Sequence, residues 1–357
     1  MIGQAVHRVR RELGLSAATL AQQADLAEAE LTDFEAGNRS LTASALMRLA
    51  RTMGLPPTSF LTDANAKTVR PALDRAKFFH ATDAPMLSEA DAVALAREVT
   101  RAQVYAELAK PSVRLDDYEP TKPGGKPWRN GYDLAASIRA KLGLAAAPIV
   151  SMQRLLEDDL GILVAKHAFA DSRLRAAAVR GPKGRLIAVS KRLSTALLRV
   201  SLAHELCHHL CDLRANESLG EADDVSLEGY SNAEPDVERR AKAFAVMFLA
   251  PSNLVREMFG LPTHQFSTSP KAVDAARKLA AHAGIGSTAA LWHLFHLTYL
   301  SDQEADVQVW QRHVGNEPGL AEFEPSFGDQ DGLLRAIDNA LASDEIDLDQ
   351  AERLRRL

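Results

Sequence analysis

The sequence predicts a mainly α-helical protein with a small β-sheet, divided into two or three domains. Apolar residues recur at helical spacing in several long segments, and short apolar runs that suit strands lie between residues 161 and 190. A segment rich in proline, glycine and charge, 116–130, interrupts the pattern. With 357 residues, 46% of them apolar and 25% charged, the chain is long enough to bury large hydrophobic cores.

The N-terminal residues predict two short helices that pack across a turn. Ser16 is a good N-cap for the first of them, and Gly37 ends the second. Their apolar positions are Leu20, Ala21, Leu26, Leu31 and Phe34. The segment Arg10 to Arg39 resembles the helix-turn-helix of the XRE/Cro repressor family. That resemblance extends to about Leu61 and implies a five-helix domain, which we place at residues 1–66.

The same resemblance implies which side chains meet DNA. The first exposed residues of the second helix contact bases in that family, so the candidate contacts are Glu28, Ala29 and Asp33, together with Arg39. Asp25 stands at the turn, where glycine is common in the family. An aspartate adopts the left-handed backbone conformation at modest cost, so the turn is compatible with this residue.

The charge of this domain does not decide whether it binds DNA or a protein. Glu30 and Glu35 add to the acidic candidate contacts on the second helix, and carboxylates oppose the phosphate field that supplies most DNA affinity. Residues 1–61 contain six arginines and six acidic residues, whereas a DNA-reading domain of this size is usually basic. Two interpretations remain: DNA binding, or a helix-turn-helix that forms a homodimer or holds a partner repressor.

A helical connector and a linker are predicted at residues 67–130. Ser88 begins a helix that ends at Leu108, before Pro111, and the linker 116–130 follows. Beyond the linker, the pattern predicts a helix at 132–142, a strand near 161–165, and a hairpin of 176–179 with 186–190 about the turn 181–184.

The next helix, from about Ser194, contains His204-Glu205-Leu206-Cys207-His208. Residues four apart on a helix lie about 40° from each other, so His204 and His208 direct two imidazoles to a common ion. Glu205 projects about 100° from His204, close enough to take a proton from water at that ion. This division of labour is that of a zinc peptidase.

A third ligand is predicted on the helix within residues 232–251. Glu238 lies at the inward edge of the apolar face of this helix. Glu234 and Asp236 are rivals, but they lie at the helix N-terminus, where acidic residues are expected from the macrodipole. Two histidines and one carboxylate leave a fourth position for water, as in catalytic rather than structural zinc sites.

These residues resemble the ImmA/IrrE family of zinc metallopeptidases, which cleave transcriptional repressors. The histidine motif is followed by Glu238-x-x-Ala241-x-x-Phe244-Ala245 and by Leu249-Ala-Pro251. The resemblance implies a zincin-like α+β domain, which we place at 131–260, with zinc held by His204, His208 and Glu238 and with Glu205 as general base. Two residues depart from the family pattern: Cys207, where a glycine is usual, and Lys242, where an asparagine is usual.

Other features are secondary to this site. His209 and Cys211 are candidates for a cleft or redox role, and the polar, acidic segment 214–230 is a candidate gate. Residues 261–357 are predicted to form a C-terminal helical extension. Its last part, 316–357, contains eleven acidic residues and four arginines, and it is interpreted as a solvated helical hairpin or, less favoured, an arm that binds a partner.

The combined prediction is a regulatory zinc endopeptidase that cleaves an XRE-type repressor in response to a signal. The alternative is a DNA-binding XRE-family regulator whose metallopeptidase-like domain is a non-catalytic sensor. No apolar run approaches the roughly 18 to 20 residues of a membrane span, and the two cysteines suggest no disulfide framework. We therefore expect a cytoplasmic protein without membrane contact.

Overall fold

The computed structural model describes residues 2–53, 76–80, 89–113, 115, 126–181, 183–213, 236–300, 303–315, 319–325 and 331–357. The chain forms two compact units of interleaved segments. The first unit contains Met1–Pro111, Gly161–Ala188 and Gln330–Leu357, and the second contains Ser112–Leu160 and Val189–Asp329. Helices predominate and one small sheet is present, so the predicted fold class is confirmed.

The first unit begins with four helices: α1 (Ile2–Glu12), α2 (Ala17–Gln23), α3 (Glu28–Glu35) and α4 (Ala43–Thr52). The Ser16 hydroxyl caps α2 by accepting a hydrogen bond from the Thr19 N–H, as predicted. Asp25, between α2 and α3, adopts the predicted left-handed conformation with φ of 53°. Residues 54–66, the rest of the predicted five-helix domain, lie outside the described part of the chain.

The sheet of the first unit has the strand order β1-β3-β4-β2. Its strands are β1 (Ala76–His80), β2 (Ile162–His167), β3 (Leu174–Arg180) and β4 (Arg185–Ser190). The predicted hairpin of β3 and β4 is confirmed, and the Gly181 N–H closes its turn by donating to the Gly184 carbonyl at 2.9 Å. Strand β1, which was not predicted from the sequence, runs antiparallel to β3 with Ala76 opposite Val179.

Three further helices surround a core that contains the sheet. They are α5 (Glu89–Leu108) and the two C-terminal helices of the chain, which are labelled α14 (Gly332–Ala342) and α15 (Leu348–Leu354). The buried residues of this core include Leu163 of β2 together with Leu95, Val99, Leu333, Ile337 and Ala351 of the three helices. The interpretation of 316–357 as a solvated hairpin was therefore incomplete, because the apolar stripe of α14 belongs to a hydrophobic core.

The second unit is helical in its described residues. It contains α6 (Pro127–Lys141), α7 (Met152–Arg154) with a π-helical turn at Leu155–Asp159, α8 (Thr195–Cys211), α9 (Asp236–Leu249), α10 (Ser252–Phe259), α11 (Ser269–Ala283), α12 (Ser287–His296) and α13 (Glu304–Trp310). Helix α6 begins five residues earlier than predicted, because Pro127 suits a first helical turn. Helix α8 begins as predicted, with Ser194 as its N-cap.

Helix α9 is held closely against α6. A Cβ atom added at Gly131 would lie 2.3 Å from the Arg240 carbonyl oxygen, so only glycine allows the two backbones to approach this far. The buried Arg139 guanidinium donates to the Phe248 carbonyl at 2.7 Å and to the Ala147 carbonyl at 2.6 Å. These contacts fix the position of α9 in the second unit.

Helix α8 is anchored by a buried ion pair. Arg199 is fully buried and donates to Glu324 Oε1 at 2.8 Å, to the Ile149 carbonyl at 2.6 Å and to the Gly284 carbonyl at 2.9 Å. Glu324 also accepts from the Met152 N–H at 2.6 Å. Because unpaired buried charges are costly, this network restricts α8 to one placement.

Candidate metal centre

Two histidines of α8 approach each other inside the second unit. His204 and His208 are both fully buried, and their Nε2 atoms lie 3.1 Å apart. The two histidines are four residues apart on one helix, and this spacing explains their proximity. A buried imidazole needs a partner for each ring nitrogen, so the facing nitrogens require a proton or a cation between them.

Helix α9 adds a carboxylate to this pair. Glu238 Oε2 lies 3.1 Å from His204 Nε2, and Glu238 Oε1 lies 3.4 Å from His208 Nε2. The ligand atoms of the three residues all lie within 4.8 Å of one another. The structure thus brings together the three residues that the sequence analysis grouped. Of their rivals, Asp236 is exposed and pairs with Arg239, and Glu234 lies outside the described residues.

The three side chains fit a zinc ion. Tetrahedral zinc with bonds of about 2.0–2.1 Å separates neighbouring ligand atoms by roughly 3.3 Å. The two Nε2 atoms lie 3.1 Å apart, and each lies 3.1–3.4 Å from a different oxygen of Glu238, so the distances are close to that value. Two imidazoles and one carboxylate are also the ligand set of catalytic rather than structural zinc sites.

The charges of the three residues are coupled. Burial lowers the pKa of His204 to about 4, so this ring is neutral. Burial acts in the same direction on His208, but hydrogen bonds to Asp212 and Glu238 outweigh it and raise the pKa of His208 to about 10. Burial would raise the pKa of Glu238, yet hydrogen bonds from the two histidines lower it. A divalent cation would therefore replace the proton of His208.

Two residues beside the cluster, Asp212 and Arg240, were not predicted from the sequence. Asp212, the C-cap of α8, accepts from His208 Nδ1 through Oδ2 at 2.7 Å. Its other oxygen, Oδ1, accepts from Arg240 of α9 at 2.6 Å. Asp212 follows His208 by four residues, so the helical spacing used for the histidines indicates it too. Arg240 required the structure, because 28 residues separate it from Asp212.

The predicted general base, Glu205, and the candidates for a cleft or redox role, His209 and Cys211, also lie on α8. Glu205 is fully buried next to His204, and His209 is 2% exposed. Burial raises the pKa of Cys207 well above its usual value, and no disulfide joins it to Cys211. Lys242 contributes to lowering the pKa of His204, so this departure from the family pattern places a positive charge near the cluster. The candidate gate 214–230 lies outside the described residues.

Two other histidines have structural partners. His167 Nε2 lies 2.7 Å from Asp91 Oδ1, and the same carboxylate accepts from the Ala170 N–H. His293 is 1% exposed and donates from Nε2 to the Ala250 carbonyl at 2.7 Å, while it accepts from the Tyr132 hydroxyl at 2.7 Å. His293 is thus a buried residue of the second unit.

The candidate DNA contacts lie on the surface of the first unit. Glu28, Ala29 and Asp33 are exposed on α3, and Arg39 is exposed after it. Arg39 donates to Glu30 at 2.6 Å, and Glu30 also caps the start of α3 by accepting from the Ala27 N–H. The charge of Glu30 is therefore balanced by Arg39, which was not expected from the sequence.

Glu35 is likewise part of the domain core rather than of its surface. Its carboxylate accepts two hydrogen bonds from the buried Arg10 guanidinium, at 2.7 and 2.6 Å, and lies 2.7 Å from His7 Nδ1. Burial would raise the pKa of Glu35, but hydrogen bonds from Arg10 and His7 lower it. Of the four acidic residues of α3, only Glu28, Glu30 and Asp33 therefore lie at the surface.

The helices and the cluster define a metallopeptidase-like domain joined to a helix-turn-helix domain. Residues 157–289 match the family model of the IrrE N-terminal-like domain, and residues 6–60 match that of the helix-turn-helix. The first match includes α8 and α9, and the second includes α2 and α3. The chain thus contains the fusion that its two resemblances implied. Searches of curated proteins and of solved structures found no match.

None of the described helices combines the length and apolar character that a membrane crossing requires.

Proposed function

We propose that the protein is a zinc-dependent endopeptidase that cleaves a transcriptional repressor in response to a signal. The observation that carries this proposal is the convergence of His204, His208 and Glu238 within 4.8 Å, with the buried Glu205 next to His204. The match to the IrrE N-terminal-like domain supports the same chemistry.

The proposed roles follow from the positions of the side chains. His204, His208 and Glu238 would hold zinc. When bound, zinc lowers the pKa of water to about 7 and polarises a carbonyl oxygen. Glu205 accepts the proton of the attacking water and delivers it to the leaving amine. Because the side chain of Glu205 is buried, bulk water does not compete for this proton.

The proposed substrate is an XRE-type repressor. The family resemblance implies this class of substrate, and the chain itself contains a helix-turn-helix of the same type. A helix-turn-helix that pairs with related repressors would bring a substrate to the peptidase domain. The expected cytoplasmic location belongs to this proposal, because such repressors act on DNA there.

A non-catalytic regulator is the second candidate function. It is favoured by the placement of Glu30 and Glu35, whose charges are paired with Arg39 and Arg10 and so oppose DNA less than the sequence suggested. In that case α3 would read an operator, and the metallopeptidase-like domain would sense a metal, a ligand or a partner.

The replacement Glu205→Gln separates these functions. We expect it to abolish cleavage and to leave zinc content unchanged, because only the general base is lost. The purified chain would be incubated with XRE-type repressors of the same genome, with and without single-stranded DNA, nucleotides or excess metal, and the fragments identified by mass spectrometry.

The variants His204→Ala and His208→Ala serve as metal-loss controls and should lose about one zinc per chain in elemental analysis. Cleavage that persisted in Glu205→Gln would indicate a contaminating protease. Absence of cleavage under every condition, together with operator binding, would favour the regulator instead.

A further inference from the structure

We propose that Asp212 and Arg240 are positioning residues that align the two ligand-bearing helices of the metal centre. The inference rests on the proposed zinc function and extends it to side chains outside the metal cluster. Asp212 ends the helix of His204 and His208, and Arg240 lies two residues after Glu238 on α9. One carboxylate therefore connects both helices beside the cluster.

The first contact selects the form of His208. Asp212 Oδ2 lies 2.7 Å from His208 Nδ1, and a carboxylate can only accept, so Nδ1 carries the hydrogen. Once a cation replaces the second proton of His208, the free lone pair of the ring is on Nε2. That atom lies 3.1 Å from His204 Nε2 and 3.4 Å from Glu238 Oε1, at the centre of the cluster. Asp212 thus leaves Nε2 as the nitrogen of His208 that would bind a metal ion.

The second contact connects this imidazole to α9. Arg240 donates to Asp212 Oδ1 at 2.6 Å, so one oxygen of the carboxylate accepts from α9 and the other accepts from His208 of α8. The hydrogen bonds from His208 to Asp212 and from Asp212 to Arg240 therefore end on the helix that supplies Glu238. A displacement of α9 along α8 would distort these hydrogen bonds and would also change the distances between Glu238 and the two histidines.

The burial of the pair distinguishes it from an ordinary surface ion pair. The side chains of Asp212 and Arg240 are 13% and 14% exposed, and the ring of His208 is fully buried. Exposed pairs contribute little because solvent screens them and their side chains lose freedom. The close packing of α6 at Gly131 also restricts the backbone at Arg240, so the Cα atom of Arg240 has a fixed position relative to α6.

Arg239 provides a matched comparison on the same helix. Its side chain is 49% exposed and lies 3.9 Å from the exposed Asp236. Replacing Arg239 or Arg240 with glutamine removes the same charge from adjacent positions. Only the replacement at Arg240 breaks the connection to Asp212.

The test is the affinity of the full chain for Zn²⁺, measured by competition with a chromophoric chelator. We expect Asp212→Ala to weaken zinc binding by roughly 10- to 100-fold, the range typical for partners of metal-bound histidines. Asp212→Asn should weaken it less, because the amide oxygen still accepts from Nδ1. Arg240→Gln should weaken it, Arg240→Lys should restore it, and Arg239→Gln should leave it unchanged.

Two further readouts separate positioning from general stability. The visible spectrum of the Co²⁺-loaded chain should change in Asp212→Ala, because the geometry at His208 is altered. A loss of stability alone would lower the thermal midpoint of the metal-free form and leave the spectrum of the folded, cobalt-loaded chain unchanged. The double variant Asp212→Asn with Arg240→Gln should lose less affinity than the two single losses combined, because both act through one path.

Unchanged zinc affinity and an unchanged cobalt spectrum in Asp212→Ala would overturn this inference and leave the proposed peptidase function intact. An equal loss in Arg239→Gln would also overturn it, because charge alone would explain the effect. If the unsubstituted chain binds no zinc, both the proposed function and the inference are wrong.

Discussion

The hydrogen bonds of His293 make this residue sensitive to acid. Its Nε2–H donates to the Ala250 carbonyl, so Nδ1 is the acceptor for the Tyr132 hydroxyl. Protonation of Nδ1 would remove that acceptor inside a buried site. Burial accordingly lowers the pKa of His293 to about 4 from an ordinary value of 6.5.

This shift predicts a loss of stability in acid. Because the folded pKa is below the unfolded one, the unfolded chain binds more protons between pH 6.5 and 4, and the contribution present above pH 6.5 is lost as the pH falls through this window. We expect His293→Gln, which stays neutral, to remove about 2–3 kcal/mol of the difference in unfolding free energy between pH 7.5 and 4.5. Urea unfolding of both chains at the two pH values measures this effect.

A variant whose free energy of unfolding fell with pH as steeply as that of the unsubstituted chain would contradict the prediction. The stability of His293→Gln at pH 7.5 supplies the reference, since the loss of packing by the ring affects both pH values and cancels in the comparison.

Residues whose state depends on near neighbours could be predicted from the sequence. The caps Ser16 and Ser194 and the left-handed Asp25 depend on side chains a few positions away, and each lies as expected. The proximity of His204 and His208 follows from helical spacing alone. Asp212 obeys the same spacing, but spacing alone does not distinguish a carboxylate that holds an imidazole from one that faces solvent.

At the scale of elements, long-range contacts set the limit. Strand β1 is defined by pairing with β3, about a hundred residues later in the chain, and its own five residues carry little periodicity. The ion pair of Arg199 and Glu324 joins residues 125 positions apart. No local pattern identifies such partners, because each residue alone reads as an ordinary surface charge.

Helix α3 carries a prediction about nucleic acid. Glu28 and Asp33 are exposed on it, and the neighbouring Glu30 and Glu35 are paired within the domain. Replacing Glu28 with Gln and Asp33 with Asn should increase non-specific DNA affinity and steepen its dependence on salt, because two charges that oppose the phosphates are removed. Gel shifts at several salt concentrations measure both quantities.

The matched control for this pair is the replacement of two acids outside the domain, Asp338→Asn with Glu352→Gln, which changes net charge equally. If the double variant on α3 instead lost tight binding to one operator sequence, Glu28 and Asp33 would be reading bases, as carboxylates do at cytosine N4.

At the scale of the whole molecule, the matched regions and the compact units do not coincide. The match at 157–289 includes strands β2 to β4, which belong mainly to the first unit, and helices α8 and α9, which belong to the second. The last helices of the chain lie outside both matches, yet Leu333 and Ile337 of α14 are buried in the first unit. The C-terminal helices therefore complete a hydrophobic core that also contains Leu95 and Val99 of α5.

This arrangement predicts different effects for two adjacent leucines. Leu333 is 1% exposed and Leu334 is 39% exposed on the same helix. We expect Leu333→Ala to destabilise the first unit by about 2–5 kcal/mol, because it leaves a cavity in the core. Leu334→Ala should change stability by less than about 0.5 kcal/mol.

Neither replacement should alter zinc affinity, because the metal cluster belongs to the second unit. Thermal unfolding with and without zinc would test this division. Equal destabilisation by both variants would contradict the placement of α14, and weakened zinc binding in Leu333→Ala would show that the two units do not respond separately.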